Sequence, residues 1–216
     1  MRAIIEGLDD QLQWPNAARR AELAGIHDGV FSNMIGILDI KEHRINKPKD
    51  SRRENLTFSA KHKMNSYKNL SIIDYTGRFI YVLVALGKND REFWTQCPLY
   101  LQKGIYFCGL QYVASDGGFH GDGPVRFSYD NPGNDPLKKA FNLIFREVRT
   151  GIETAFARIC IWFPILGTNK GKWNYSEETL QLSIHAAARL HNWLMNTENL
   201  SYSALESPES YFKSYY

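Results

Sequence analysis

The stretch Met34-Ile35-Gly36-Ile37-Leu38-Asp39-Ile40 constrains this chain more than any other. A short continuous apolar run reads as a β-strand buried on both faces. Asp39 lies near its end, and an unpaired buried carboxylate is costly. The acid is therefore either paired or functional. Two later acids have similar settings. Asp116 follows the run Leu110-Gln111-Tyr112-Val113-Ala114-Ser115, and Glu153 lies in a long amphipathic stretch. The expectation is that Asp39, Asp116 and Glu153 converge on divalent metal.

The elements around these acids can be read in order. Residues 1–33 form a mostly helical lead-in, broken at Trp14-Pro15. Asn16 is placed to cap a helix through Leu23, and Gly25 to stop it. After the 34–40 strand, the polar, basic, Pro-containing stretch 46–53 reads as a loop. Leu70-Ser71-Ile72-Ile73-Asp74 and Phe79-Ile80-Tyr81-Val82-Leu83-Val84 flank Tyr75-Thr76-Gly77-Arg78, which is hairpin spacing. A short helix is expected over 89–102, ended by Gly104. The 110–115 strand follows, and the Gly-, Pro-, Asp- and Asn-rich stretch 120–136 reads as a loop.

Asp135-Pro136 is a helix start, with Asp as cap and Pro at the first position. The helix runs to about Phe163, with Phe141, Ile144, Phe145, Val148, Ile152, Ala155, Phe156 and Ile159 at helical period. A last helix spans Glu177–Asn196, and 197–216 is a loosely ordered polar tail. Strand, hairpin, helix, strand, helix, helix is the layout of an α/β, RNase H-like mixed sheet flanked by helices. That step is fold analogy and does not by itself give function.

Composition narrows the setting. A chain of 216 residues with 44% hydrophobic content can bury a sizeable core. The net charge of +3 says little about partners, so the distribution of charge matters more. Cys97, Cys108 and Cys160 form no CxxC pair, which fits a reducing compartment. No signal peptide opens the chain, and no apolar run approaches a membrane span. The Gly-rich stretch after Asp116 lacks the Lys-Ser/Thr of a phosphate-cradling P-loop. The histidines lack metal-ligand spacing and read as structural.

Three carboxylates suit phosphodiester cleavage with two hard cations about 3.5–4 Å apart, which need charged, rigidly held oxygen ligands. Each acid also has a plainer reading. Asp39 and Asp116 can cap a helix or pair with a base, and Glu153 can pair with Arg149 four residues earlier. The stripe Asn142, Arg146, Arg149 and Glu153 is either a solvated face or a wall facing DNA. Lys61, His62, Lys63 and Lys68, with Tyr67 among them, form one basic patch. Arg44, Lys47, Lys49, Arg52 and Arg53 form another. Such patches suit a phosphate backbone or a solvated loop. A hydrolase of small phosphoesters is a further reading, and it expects no DNA affinity.

An ordered set of motifs carries a resemblance. Trp14-Pro15 precedes the first strand. Gly36-Ile37-Leu38-Asp39 has the form hydrophobic-Gly-x-hydrophobic-Asp. Ser59-Ala60-Lys61-His62-Lys63 leads into the 70–74 strand. Gly87-Lys88-Asn89-Asp90 is similar to Pro-Gly-Ser-x-x-Asp, and Ser115-Asp116-Gly117-Gly118-Phe119 to Gly-Asp-x-Gly-Tyr. Phe141-Asn142, Arg149, Ile152-Glu153-Thr154-Ala155-Phe156 and Leu190-His191-Asn192 complete the set. Over residues 14–195 the chain resembles the catalytic domain of PIF/Harbinger-type DDE transposases.

The resemblance implies that Asp39, Asp116 and Glu153 are the catalytic, metal-holding acids, with two Mg2+ or Mn2+ ions as cofactors. It implies cleavage of DNA at transposon ends and joining of the 3′ hydroxyl to target DNA. Lys61, Lys63 and Arg149 would contact nucleic acid. It further implies a nuclear setting, a homo-oligomer, no membrane, and a separate DNA-binding partner protein, since no upstream DNA-reading segment is recognisable. The catalytic domain would span 34–196.

Some positions depart from the family pattern. Ile40-Lys41 replaces the usual Gly-Thr, and strand alternation puts Lys41 on the side of Asp39. Cys160 and Trp162 stand where basic residues are usual after the Glu. A catalytically inactive, truncated or domesticated derivative that binds DNA or protein is therefore the alternative reading.

Overall fold

The apolar run at 34–38 forms the first half of a long central strand in the computed structural model of the chain, which describes residues 1–26, 31–86, 89–119, 123–167 and 172–197. This strand, β1 (Met34–Arg44), continues four residues past the expected end. Asp39 is thus in mid-strand. Residues 34–38 are buried, while 39–42 are half-buried.

The chain begins with two helices, α1 (Arg2–Gly7) and α2 (Ala17–Ala24). The side chain of Asn16 accepts the Arg19 N–H, and Gly25 closes the C-terminus of α2, as its sequence predicts. After β1, residues 51–57 are helical, not loop. This helix, α3 (Ser51–Thr57), starts where Asp50 accepts the N–H of Arg53. The hairpin is present, as β3 (Met64–Ile73) and β4 (Phe79–Ala85), and a two-residue strand β2 (Phe58–Ser59) precedes it.

The single helix expected over 89–102 is divided. Pro98 lacks an N–H and starts a new turn, so the segment becomes α4 (Asp90–Gln96), α5 (Pro98–Leu101) and α6 (Lys103–Tyr106). Gly104 lies within α6 and ends nothing. Strand β5 (Tyr112–Ala114) is shorter than the apolar run that announced it. The 120–136 stretch contains a short strand, β6 (Val125–Arg126). Helix α7 (Pro136–Trp162) and helix α8 (Glu177–Thr197) match their expected spans closely. Residues 198–216 and the Gly87-Lys88 pair of one motif lie outside the described residues.

The six strands form one mixed sheet. β3 is flanked by β1 on one side and by β2 and β4 on the other, and β5 and β6 follow beyond β1. The β1–β3 and β3–β4 pairs are antiparallel, whereas β1–β5 and β5–β6 are parallel. Helices cover both faces, as the RNase H-like layout requires. On one face Ile37, Phe79 and Val82 pack with Ile152, Phe156 and Ile159 of α7 and Ile184 of α8. On the other, Ile35, Leu38 and Leu70 pack with Leu23 of α2 and Phe93 and Trp94 of α4. Each large side chain buried in this way contributes roughly 1.5–3 kcal/mol of transfer free energy.

One glycine sets the central geometry. A Cβ on Gly36 would stand 2.6 Å from the backbone oxygen of Ile73, so only glycine lets β1 run this close to the end of β3. A bulge in the β1–β5 pairing falls at the same place, between Met34 and Gly36.

Two asparagines stitch elements together by imitating a backbone unit. Asn192 on α8 accepts the Phe79 N–H at 2.9 Å and donates to the Phe79 carbonyl at 2.7 Å. It also donates to the carbonyl of Gln11. Asn142 on α7 does the same for Tyr129, accepting its N–H and donating to its carbonyl, both at 2.8 Å. His191 is fully buried against the carbonyl of Gly77, and burial holds its pKa down at about 4. The Leu190-His191-Asn192 and Phe141-Asn142 motifs are therefore structural clips here.

Candidate active site

The parallel register of β1 and β5 brings the first two acids side by side. Their last aligned pair is Ile37 with Ala114. Asp39 lies two residues beyond Ile37, and Asp116 two residues beyond Ala114. Parallel neighbours at the same level run close together, so the two carboxylates lie near one another where β5 ends beside the middle of β1. The Asp116 carboxylate is held by the N–H of Gly118, which donates to Oδ1 at 2.9 Å. Asp39 accepts the N–H of Ile40 at 2.8 Å.

Helix α7 crosses this end and delivers Arg149 and Glu153 on successive turns. Arg149 Nη2 lies 4.0 Å from Asp39 Oδ2 and 3.9 Å from Glu153 Oε1. The guanidinium thus stands between the strand acid and the helix acid. Both readings made for Glu153 meet in this arrangement: it pairs with Arg149, and it borders Asp39. Its side chain is 62% exposed and held only at long range, whereas Asp39 is 22% exposed.

The carboxyl of Asp39 is strongly perturbed. Burial pushes its pKa up to about 6, opposed by the Ile40 N–H and the Arg149 charge and reinforced by Asp116 and Glu153. The charges of Asp116 and Glu153 therefore both reach Asp39. Among the described residues, however, no three His, Cys, Asp or Glu side chains converge closely enough to grip a metal ion. The donor set still fits a hard divalent cation in kind. It is all carboxylate oxygen, it is carried by β1, the turn after β5 and a packed helix, and burial, with smaller contributions from Asp116 and Glu153, resists ionisation of Asp39.

A cleft of about 350 Å3 opens beside Asp39, lined also by Lys41, Glu42, Lys61, His62, Asp90 and Phe156. Lys41 projects to the α7 side, as alternation predicts, but its ammonium lies over the Phe156 ring, 5.6 Å from the centroid. Lys61 and Lys63 are exposed on the turn between β2 and β3, and Lys63 has a left-handed backbone (φ 50°). Of these, Lys61 borders the Asp39 cleft.

The basic patches are smaller than the sequence suggests. Lys68 is 3% exposed and ion-paired to Glu42 and Asp90, so it faces no solvent phosphate. Tyr67 is buried, and its hydroxyl accepts from Arg53. Lys47 pairs with Glu54 at 2.8 Å. In the polar stripe on α7, Asn142 is spent on Tyr129. At the departures after Glu153, the Cys160 thiol faces the Leu166 carbonyl and Trp162 packs on the His191 ring. Sequence reasoning gave Asp90 no role, although its motif was recognisable. The signal was its place as the first residue of a helix capped by Asn89.

No described helix is long and apolar enough to cross a membrane. No curated protein and no solved structure matches the chain. The family described as DDE superfamily endonuclease matches residues 38–192, which run from the residue before Asp39 to the Asn192 clip. On that match, across most of its length and over all three acids, the chain belongs to the DDE superfamily endonucleases.

Proposed function

We propose that this chain is the catalytic domain of a PIF/Harbinger-type DDE transposase, with residues 34–196 as its catalytic core and the nucleus as its setting. It cleaves DNA phosphodiester bonds at transposon ends and joins the 3′ ends to target DNA. The observation that carries the reading is that Asp39 on β1 and Asp116, just past the end of the parallel strand β5, each lie two residues beyond the Ile37–Ala114 pair, with Arg149 of the Glu153 helix against Asp39. The family uses divalent metals, and Asp39, Asp116 and Glu153 are the residues that would hold them. Two Mg2+ or Mn2+ ions, when bound, would supply activation of the attacking oxygen and stabilisation of the leaving one.

The chain's own groups do the rest. Asp39, ionised above its raised pKa, provides charge fixed by the Ile40 N–H. Asp116 is kept in orientation by the Gly118 N–H. Glu153, mostly exposed, is free to swing toward the strand acids. Arg149 offsets the charge of Asp39 and Glu153 and would offer its guanidinium to a phosphate. Lys61 and Lys63 are placed to meet the DNA backbone near the cleft. A homo-oligomer and a separate DNA-binding protein are the partners this reading calls for.

A second reading is supported by a specific observation. The Arg149 guanidinium stands between Asp39 and Glu153, and Cys160 and Trp162 pack internally instead of offering cations. On that reading the domain is an inactive derivative that binds DNA or protein.

Incubation of labelled DNA with Mg2+ or Mn2+ separates the two. Metal-dependent strand cleavage that disappears in Asp116→Asn supports the nuclease. Salt-sensitive DNA binding without cleavage supports the binding module, and cleavage unchanged in Asp116→Asn rejects the site.

A further inference from the structure

A buried lysine ties the candidate site to the helix beside it. Lys68 stands on β3 opposite Glu42 of β1, and its side chain is 3% exposed. It donates to Glu42 Oε1 at 3.0 Å and to Asp90 Oδ1 at 2.6 Å. Burial alone would lower its pKa, but the bonds and charges of Asp90 and Glu42 outweigh this and raise it. Glu42 also accepts the hydroxyls of Ser59 and Ser66, each at 2.9 Å. It is consumed within the fold.

Asp90 differs. It is the first residue of α4 and it lines the cleft with Asp39. With Oδ1 on Lys68, its Oδ2 lies 3.6 Å from the point where a Cβ on Gly118 would sit. Asp116 Oδ1 is 3.0 Å from that same point. The two carboxylates flank one glycine. Further back, Trp94 of α4 meets Phe119 edge to face, with centroids 6.5 Å apart and both rings buried. The turn that carries Asp116 is thus pinned to α4, and α4 is pinned by Asp90 and Lys68 to β1 and β3.

We propose that Asp90, clamped by Lys68, is a positioning residue of the carboxylate centre. It holds the Asp116 turn against β1 and presents a further acceptor oxygen beside Asp116, favouring a hydrated divalent cation there. The proposal rests on the metal-dependent reading above. It assigns Asp90 an action through Asp116, not a place among the acids that grip the metal.

Mn2+ titration followed by the paramagnetic resonance of the free ion tests this on the full chain, with thermal melts in parallel. Asp90→Asn keeps an acceptor for Lys68, and Asp90→Ser is a second variant. Both are expected to unfold cooperatively and to bind Mn2+ about 10-fold more weakly, the scale typical of a group one shell out from a metal. Asp116→Asn is the reference for a lost site. Wild-type affinity in Asp90→Asn, with Asp116→Asn impaired, would overturn the role of Asp90 and leave the metal reading intact. Failure of the wild-type chain itself to bind Mn2+ would overturn both. Loss of cooperative unfolding in both Asp90 variants would make the residue purely structural and overturn the proposal as well.

Discussion

Asp39 and Asp116 each lie two residues past the pair Ile37–Ala114, the first within β1 and the second just beyond the end of the parallel strand β5. Their proximity follows from strand register together with the turn after β5, where the Gly118 N–H holds the Asp116 carboxylate. It also explains why the carboxyl of Asp39 resists ionisation, since burial and two neighbouring acids act on it together.

The pH dependence of stability follows from that carboxyl. Its pKa is about 6 in the fold against an ordinary 3.8. The folded state therefore holds the proton more tightly than the unfolded state. The resulting stability is complete below the ordinary value and is lost as pH rises through the raised one. In chelator, Asp39→Asn should leave stability unchanged at about pH 3 and raise it by about 1–3 kcal/mol at about pH 8. Urea denaturation at the two pH values measures this, and an equal change at both would count against a raised pKa.

Arg149 bridges two acids at long range, so its loss should cost little stability, about 0.3–1 kcal/mol in metal-free protein. Under the nuclease reading its loss acts mainly on DNA. Arg149→Gln should reduce the salt slope of DNA binding by about 1, as for the loss of one phosphate contact. Fluorescence anisotropy across a salt series gives the slope. An unchanged slope would confine Arg149 to balancing the acids.

The Asn192 clip carries a larger energetic stake. Asn192→Ala leaves the Phe79 N–H and carbonyl without partners at a buried position. The expected cost is about 2–4 kcal/mol. Asn192→Asp should also destabilise, because a carboxylate cannot donate to the carbonyls of Phe79 and Gln11. Melting curves read both, and a cost near zero in Asn192→Ala would show that water replaces the clip.

Gly36→Ala should be among the most damaging small substitutions. The added methyl meets a backbone oxygen at 2.6 Å, which cannot swing aside as a side chain would. A loss of about 1–3 kcal/mol is expected. Chemical denaturation would show it, and a neutral result would mean that β1 and β3 can part at that point.

Much of this arrangement is legible in the chain. The apolar run of β1, the period of α7 and α8, and the Asn16 and Asp135 caps each carry their signal within a few residues. What escaped has distant causes. β6 exists because Val113 N–H finds the Pro124 carbonyl and Ser115 N–H finds the Arg126 carbonyl across a Gly-rich stretch. Helix α3 is polar and basic, and its one local sign was Asp50 three residues before Arg53. Lys68 looked like a surface cation because β3 was expected to begin at Leu70. Once β1 extends to Arg44, Glu42 faces Lys68 and its charge is claimed. Asp39, Asp116 and Glu153 are candidates that the sequence already offers, whereas the guanidinium between Asp39 and Glu153 required the fold.

The Asn192 clip also governs how this sheet meets other chains. β4 pairs only with β3 among the described strands, so its outer side is an open edge of the kind that recruits foreign strands. Asn192 fills one rung of that edge at Phe79 with a side chain that mimics a neighbour. Strand addition, whether in self-association or in aggregation, is blunted where β4 begins.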